Sequence, residues 1–251
     1  MKFFKEILLA FQSYLEGLKY FPNFYKSFLL LILLILIFST PIVFIDFAFK
    51  SLLSHIPFFH LIKYEKLLIQ MMANFSGFLL LLILSPVFSL VSEKLMHILA
   101  GKTYRFSPAQ LIKDIIRGIK ITMRNLVYEY FYVFVITLIL WILPENPIIS
   151  IVGLLSNILV VSYFYGFSLL DYALENYRIG YNPSVKFVRS HSGIAVGLGL
   201  LYTLLIHFND KFFHTDNHWT IYWTAFGEAL IAFAGVIAAS IIMFKKRQII
   251  Q

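Results

Sequence analysis

Acidic residues in apolar surroundings are the first candidates for chemistry in this chain. They are Asp46, Glu129, Glu145 and Glu228. An ionisable side chain is costly in such surroundings and indicates a functional site unless a structural partner neutralises it. Glu228 lies about two turns into its apolar segment and is the candidate buried acid, as a functional group or as half of a structural pair. Asp46 and Glu145 suit an interfacial position equally well.

Two apparent ligand-binding motifs lack the spacing that their chemistry requires. Gly101–Thr103 would need a glycine where Met96 stands to form a phosphate-binding loop, and no strand precedes it. We interpret Gly101 as the C-cap of a long helix instead. In His214–His218 the histidines and the aspartate alternate, so neighbours do not share a helical face, and no fourth ligand is nearby. The segment therefore predicts no metal site.

The rest of the sequence gives no support for an enzyme. It contains no Ser-His-Asp constellation, nucleophile elbow or zinc-protease motif. It also has no cysteine, which excludes disulfides, thiolate metal ligands and cysteine nucleophiles. We expect no catalytic residue, no metal and no cofactor.

The composition is that of a polytopic membrane protein. Hydrophobic residues make up 60% and charged residues 14% of the 251 residues, whereas soluble domains have about half and about a quarter. The net charge of +8 is better explained as a topology signal in the loops than as a surface for nucleic acid. No cleavable signal peptide is evident, and the first apolar span is expected to act as an uncleaved anchor.

The pattern of apolar segments predicts an all-α integral membrane protein with a single polytopic domain, residues 1–251. An amphipathic arm at 1–26 is expected to lie at the interface, and 100–125 is a basic cytoplasmic connector. The second apolar segment is longer than a bilayer of about 30 Å requires, so it should leave the membrane, with Pro86 bending it near the exit. The fifth segment is too short for a comfortable crossing. The predicted membrane helices are 28–49, 67–99, 126–143, 148–170, 194–207 and 221–244.

Lysine and arginine are distributed unequally between alternate connections. Of the 21, 17 lie in the N-terminal arm, the segments 92–125 and 171–193, and the C-terminal tail, whereas 4 lie on the other side. This asymmetry predicts a multi-pass membrane protein with both termini in the cytoplasm. The count does not distinguish six crossings from two crossings with re-entrant hairpins at 126–170 and 194–244.

A set of glycine, proline and polar motifs occurs along the chain in an order typical of one family. In chain order they are Gly17-Leu-Lys with Pro22, the run Ser85–Leu95 with Pro86 and Glu93 closed by Gly101, Asp171-Tyr172 with Glu175 and Asn176, then Arg189, Gly193, Gly197 and Gly199. In this order and spacing the chain resembles the CysZ family of bacterial sulfate permeases, which is related to the eukaryotic etoposide-induced membrane proteins. The resemblance covers most of the chain.

The resemblance implies an all-helical inner-membrane protein with two long spanning helices and helical hairpins that partly penetrate the bilayer. It also implies homo-oligomers and passive uptake of a small inorganic anion, sulfate, for cysteine biosynthesis. On this interpretation Gly17 and Pro22 shape the approach of the anion, and Pro86 bends the second membrane helix. Asp171 and Asn176 would pack the polar layer on the cytoplasmic side.

The chain departs from the family where an arginine would suit an oxyanion. It has Pro22-Asn-Phe-Tyr25 with Lys26 as the nearest cation, and lysine binds an oxyanion as a point charge without the bidentate fork. We expect Lys26, Asn23 and Arg189, with backbone N–H groups at helix starts, to bind the anion. The longer loop 208–220 also replaces a proline-rich turn of the family.

A second interpretation is a non-transporting scaffold or partner-binding subunit. Its basic connector would contact anionic lipid or a cytoplasmic protein, and its intramembrane polar groups would all be paired internally. Conduction predicts instead a polar path through the bundle or through an oligomer. In either case the small residues of Gly193–Gly197 and Ala232–Ala239 are expected to pack helices or subunits.

Overall fold

The structure, a computed structural model, describes residues 1–37, 63–101, 108–144, 146–177, 179–213 and 220–250. Within these ranges all regular secondary structure is helical and no strand occurs. Six helices there are long and apolar enough to cross a membrane. The prediction of an all-α integral membrane protein is confirmed.

The helices follow one another with short connections where the chain is described. Most are far longer than the helices of soluble domains, which average about three turns. In chain order they are α1 Lys2–Gly17 with a 3-10 turn at Leu18–Phe24, α2 25–37, α3 Lys63–Ala100, α4 Pro108–Ile142, α5 Pro147–Asn176, α6 Tyr181–Ser190, α7 Ser192–Phe213 and α8 Thr220–Ile250.

Helix ends are fixed by residues that satisfy free backbone groups. The Asn146 side-chain oxygen accepts a 2.9 Å hydrogen bond from the Ile148 backbone N–H, and Pro147 occupies the first position of α5. At the end of α3, Gly101 has a φ of 64° and its N–H donates to the His97 carbonyl at 2.9 Å. That left-handed conformation favours glycine, so the predicted C-cap is confirmed.

Two predicted apolar segments are much shorter than the helices that contain them. α4 begins at Pro108 and has 35 residues, so most of the basic connector and the span after it form one continuous helix. α7 has 22 residues, whereas the apolar segment 194–207 has 14. Backbone hydrogen bonds continue a helix through polar residues, but a hydropathy pattern ends at the first of them. The end of the predicted segment 28–49 lies outside the described residues.

The long helices exceed what a bilayer requires. At 1.5 Å per residue, α3 with 38 residues is about 57 Å long and α4 with 35 is about 52 Å. The hydrocarbon layer is about 30 Å thick. Because α3 continues through Pro86 as a helix, part of it must project beyond the apolar layer.

Both termini lie at the same end of the bundle. Lys246 near the end of α8 is 3.8 Å from Glu6 of α1, and the adjacent Lys245 forms an ion pair with Glu16. Glu6 and Glu16 are ten residues apart, which is about 15 Å along α1, whereas Lys245 and Lys246 are neighbours on α8. The helix α1 therefore crosses α8 and does not run alongside it. We call this end of the bundle the terminal end. It includes α6, because Lys2 donates to the Ser190 carbonyl at 3.0 Å.

The amphipathic α1 turns its polar and small residues toward the protein. Glu6, Ala10 and Tyr14 are buried, and the Tyr14 hydroxyl donates to the Leu198 carbonyl of α7 at 3.2 Å. A polar inner face and an apolar outer face fit a helix whose outer side contacts lipid. The exposed apolar residues of this segment are Phe3, Phe4, Leu8, Leu15 and Leu18.

Close-packed glycines hold α7 between α1 and α5. A Cβ built on Gly197 would come within 2.8 Å of the Ala10 Cβ on α1, and one on Gly199 would overlap the Ser162 carbonyl of α5. Gly166 of α5 approaches the backbone of α7 equally closely. Small residues allow such approach between membrane helices, so the predicted role of this glycine segment in packing helices is confirmed.

Candidate functional site

A buried ion pair joins three helices at the terminal end. Arg117 of α4 donates from Nη2 to Asp171 Oδ1 of α5 at 2.6 Å. The same oxygen accepts a hydrogen bond from Ser184 Oγ of α6 at 2.8 Å. Since Ser184 is fully buried, this contact fixes α6 against α5.

Two turns further along α4, Arg124 lies against two aromatic rings. Its guanidinium carbon is 5.2 Å from the centre of the Tyr128 ring and 4.9 Å from that of Phe167. Nη1 donates to Asn125 Oδ1 at 3.0 Å, and Asn125 donates in turn to Ser168 Oγ at 3.1 Å. The ring contacts restrict the orientation of the guanidinium while most of its five N–H groups stay available.

Arg189 lies exposed in the last turn of α6. The Tyr163 hydroxyl of α5 is within electrostatic range of both Arg124 and Arg189. Neither arginine forms an ion pair with a carboxylate in the part of the chain that the structure describes. Arg189, a predicted anion contact, is thus an exposed cation at the end of α6.

Lys26 and Asn23, the other predicted anion contacts, lie elsewhere. Both are exposed, and the Lys26 ammonium is 5.9 Å from the centre of the neighbouring Tyr25 ring. The Asn23 carbonyl accepts a hydrogen bond from Lys94 of α3. Among the described residues no contact joins Lys26 or Asn23 to Arg189, so the structure does not bring the three together in one site.

The motif at the end of α1 packs against α8. A Cβ built on Gly17 would lie 2.9 Å from Ile237 Cγ2, which accounts for a glycine there. Pro22 is exposed in the 3-10 turn that follows. Phe24 at the end of that turn is fully buried, with its ring centre 5.9 Å from that of Phe233. This motif therefore sets where α1 ends and α2 begins on the surface of α8.

Two motif residues of α5, Tyr172 and Glu175, are hydrogen-bonded to α3. Ser89 Oγ donates to Glu175 Oε1 at 3.1 Å, and the Tyr172 hydroxyl donates to the Leu81 carbonyl at 2.8 Å. Glu93 is half-buried on α3. Asn176 ends α5, and its side chain falls outside the described part of the structure.

Two of the intramembrane acidic residues are described. Glu129 is fully buried on α4, and Glu228 on α8 is only half-buried. Both carboxyl groups are within electrostatic range of the buried Tyr165 hydroxyl, and both have interaction partners. Glu228 is therefore an engaged, partly accessible group and not an isolated buried acid. Asp46 and Glu145 lie outside the described residues.

No metal-binding arrangement occurs in the part of the chain that the structure describes. It contains no group of three His, Asp or Glu side chains that could hold an ion. The alternating segment His214–His218 falls outside it.

Sequence reasoning missed Arg117 and Arg124 as members of a site. It counted both arginines only as charges of the connector, although their spacing of seven places them on one face once that connector is a helix.

Comparison with known proteins identifies the family. The family described as Sulfate transporter CysZ/Etoposide-induced protein 2.4 matches residues 7–208. The chain belongs to this family. Among curated proteins no significant match is found. The part that matches the CysZ/etoposide-induced family contains Gly17, Arg124, Asp171 and Arg189, and it ends before α8.

Proposed function

We propose that this member of the CysZ/etoposide-induced family is a transport protein that takes up a small oxyanion, with sulfate as the first candidate. Its family and the six apolar helices among the described residues support membrane transport in general terms. The observation that favours an anion is that neither Arg124 nor the exposed Arg189 has a carboxylate partner among the described residues. A permeating anion needs such donors, which replace its hydration shell.

Location and mode of transport are part of the same proposal. The excess of lysine and arginine on the side of the termini supports an orientation with both termini in the cytoplasm. The inner membrane and passive uptake for sulfur assimilation are proposed from the likeness to the CysZ family. We also propose a homo-oligomer. The exposed apolar side chains at the tip of the α4–α5 hairpin offer surfaces for other copies as well as for lipid.

Lys26 and Asn23 are proposed as a separate contact on the path of the anion. Their exposure supports this role, because an ammonium and an amide in contact with solvent can meet an ion before it enters the bundle.

The test is uptake of radiolabelled sulfate into proteoliposomes. Wild type is compared with Arg189→Ala and Lys26→Ala, with empty vesicles as the background. Lys186→Ala is the control for Arg189→Ala, and Lys5→Ala is the control for Lys26→Ala, because both lysines are exposed and lie outside the family motif. We expect flux above that of empty vesicles and a reduction of about tenfold for Arg189→Ala, equivalent to the loss of one charge-assisted contact. A folded protein whose sulfate flux equals that of empty vesicles would reject transport of sulfate and favour the scaffold interpretation.

A further inference from the structure

One exposed stripe runs along the outer face of α4. Its members recur at spacings of three or four residues, which places them on one side of the helix. The acidic residues of α4, Asp114 and Glu129, occupy positions on other sides of the helix. The stripe is therefore cationic near the terminal end and purely apolar beyond it. Its exposed members are Lys113, Ile116, Lys120, Met123, Val127, Phe131 and Phe134.

The change from cationic to apolar coincides with the edge of a bilayer. Lys120 and Arg124 lie 22 and 18 residues before Ile142, the last residue of α4, which is about 33 and 27 Å along the helix axis. The hydrocarbon layer is about 30 Å thick. Helical side chains incline toward the N-terminus, which on α4 is away from the apolar layer. On a crossing helix both charged groups therefore lie at the level of lipid phosphates.

Arg124 borders the stripe, one turn from Lys120, with its guanidinium already oriented. The guanidinium carbon is 5.2 Å from the centre of the Tyr128 ring and 4.9 Å from that of Phe167, and Nη1 donates to Asn125 Oδ1. A side chain held by such contacts loses less conformational freedom when it binds a ligand. Among the described residues no carboxylate forms an ion pair with Arg124 or Lys120. Two positive charges are thus presented side by side.

The chemistry of the stripe selects its partner. Two cations at phosphate depth complement a phospholipid with a net negative charge, whereas a zwitterionic headgroup supplies its own cation. The apolar continuation through Val127 and Phe131 suits acyl chains, and an acidic soluble protein cannot follow it into the hydrocarbon layer. A second copy packed on the stripe about a twofold axis normal to the membrane would bring like charges together. An anionic lipid fits the stripe over its whole length.

We propose that Lys120 and Arg124 bind the phosphate of an anionic phospholipid such as phosphatidylglycerol, whose acyl chains lie along Met123, Val127 and Phe131. Lys113, two turns beyond Lys120, adds to the attraction for anionic headgroups. The proposal does not depend on transport, because the ligand remains in the bilayer.

Native mass spectrometry of the delipidated full-length protein in detergent tests this lipid site. Dioleoyl phosphatidylglycerol and dioleoyl phosphatidylcholine are titrated separately, and the dissociation constant of the first bound lipid is measured for each. A cation near an anionic headgroup contributes about fivefold to binding. The wild type should therefore bind phosphatidylglycerol about tenfold or more tightly than phosphatidylcholine.

The main variant is Lys120→Ala, because an exposed lysine can be removed without disturbing the packing of the helices. It should weaken binding of phosphatidylglycerol about fivefold and leave binding of phosphatidylcholine unchanged. Lys120→Arg should restore the wild-type affinity, and Arg124→Ala should have the same effect as Lys120→Ala. Lys186→Ala is the matched control, because it removes an exposed cation of α6 at the same end of the bundle. It should change the affinity by less than about twofold.

Three results would overturn the lipid site. One is a wild type that binds the two lipids with equal affinity. Another is that Lys120→Ala and Arg124→Ala bind phosphatidylglycerol as tightly as Lys186→Ala does. Glycerol 3-phosphate, which carries the phosphate without acyl chains, should bind at least about tenfold more weakly than phosphatidylglycerol, because it buries no apolar surface. Equal affinities for these two probes would mean that the stripe recognises a free phosphate and not a lipid.

Discussion

Arg117 Nη2 and Asp171 Oδ1 lie 2.6 Å apart, and their side chains are only 13% and 5% exposed. Burial of two charges has a large desolvation cost, which their attraction and the hydrogen bond from Ser184 offset. Such a pair adds little net stability over an apolar substitute, but neither partner can be removed alone without leaving a buried charge. The pair also spans 54 residues of sequence and fixes how α4 meets α5.

Asp171→Ala is expected to destabilise the protein strongly. It leaves Arg117 without its carboxylate, and loss of one partner of a buried pair typically costs about 3–5 kcal/mol of unfolding free energy. Thermal unfolding in detergent measures the effect. Glu16→Ala is the control, because it breaks the more exposed pair with Lys245 and should cost at most about 1 kcal/mol. Equal losses in the two variants would show that Asp171 does not act as a buried partner.

The buried pair of Arg117 and Asp171 shows what could and could not be predicted about the site from the sequence. Hydropathy and helix-cap signals are local, so the all-α membrane fold and the cap at Gly101 follow from short stretches of sequence. Partners such as Arg117, Asp171 and Ser184 lie on three helices, and no local pattern reports which of them meet. For the same reason Lys26 and Arg189 could be chosen as cations, but not placed relative to each other.

Gly199→Ala is expected to disturb the contact between α5 and α7. Its Cβ would overlap the Ser162 carbonyl, and backbone cannot yield as the end of a side chain can, so the cost should be about 1–3 kcal/mol or more. Gly118→Ala on α4 is the matched control, because a Cβ there meets nothing within 4 Å. The control should be neutral or gain up to about 1 kcal/mol from helix propensity.

The apparent melting temperature of each glycine variant, measured in the same detergent, checks this prediction. A stable Gly199→Ala protein, with a melting temperature at or above that of Gly118→Ala, would contradict the close approach of α5 and α7.

Glu6→Gln is expected to loosen α1 from the terminal end. Glu6 is buried with its Oε1 3.9 Å from Lys2 Nζ and 3.8 Å from Lys246 Nζ, so the neutral amide leaves two ammonium groups without their shared counter-charge. Local opening exposes backbone to protease, and trypsin should cleave within α1 about three- to tenfold faster. Gln12→Ala on the exposed face of α1 should leave the rate unchanged. Identical rates in the two variants would mean that the Glu6 charge does not hold α1.

The orientation of α1 is a further point that the pattern of apolar residues alone did not decide. Periodicity identifies an apolar stripe with Phe4, Leu8 and Leu15, but in a membrane protein that stripe can face either the core or the lipid. The structure buries Glu6 and Tyr14 instead, because glycines on α7 and lysines on α8 provide the space and the charge for them. In this protein, hydrophobic patterns therefore predict the residues of a helix more reliably than they predict which face of the helix packs against the rest of the protein.

Single-cysteine labelling is expected to show that the helical hairpins cross the membrane. The native chain has no cysteine, so each variant reports one position without background. Lys5→Cys and Lys186→Cys lie at the terminal end, whereas Asn146→Cys and Lys211→Cys lie at the far ends of α5 and α7, and all four positions are exposed. α5 with 30 residues is about 45 Å long and α7 with 22 residues is about 33 Å long. These lengths are enough to separate the two sets of positions by a bilayer of about 30 Å.

A membrane-impermeant maleimide added to intact cells should therefore label positions 146 and 211, and should label 5 and 186 only after permeabilisation. Labelling of all four from one side would mean that the hairpins re-enter without crossing. Labelling of 5 and 186 alone in intact cells would instead reverse the proposed orientation while keeping the crossings.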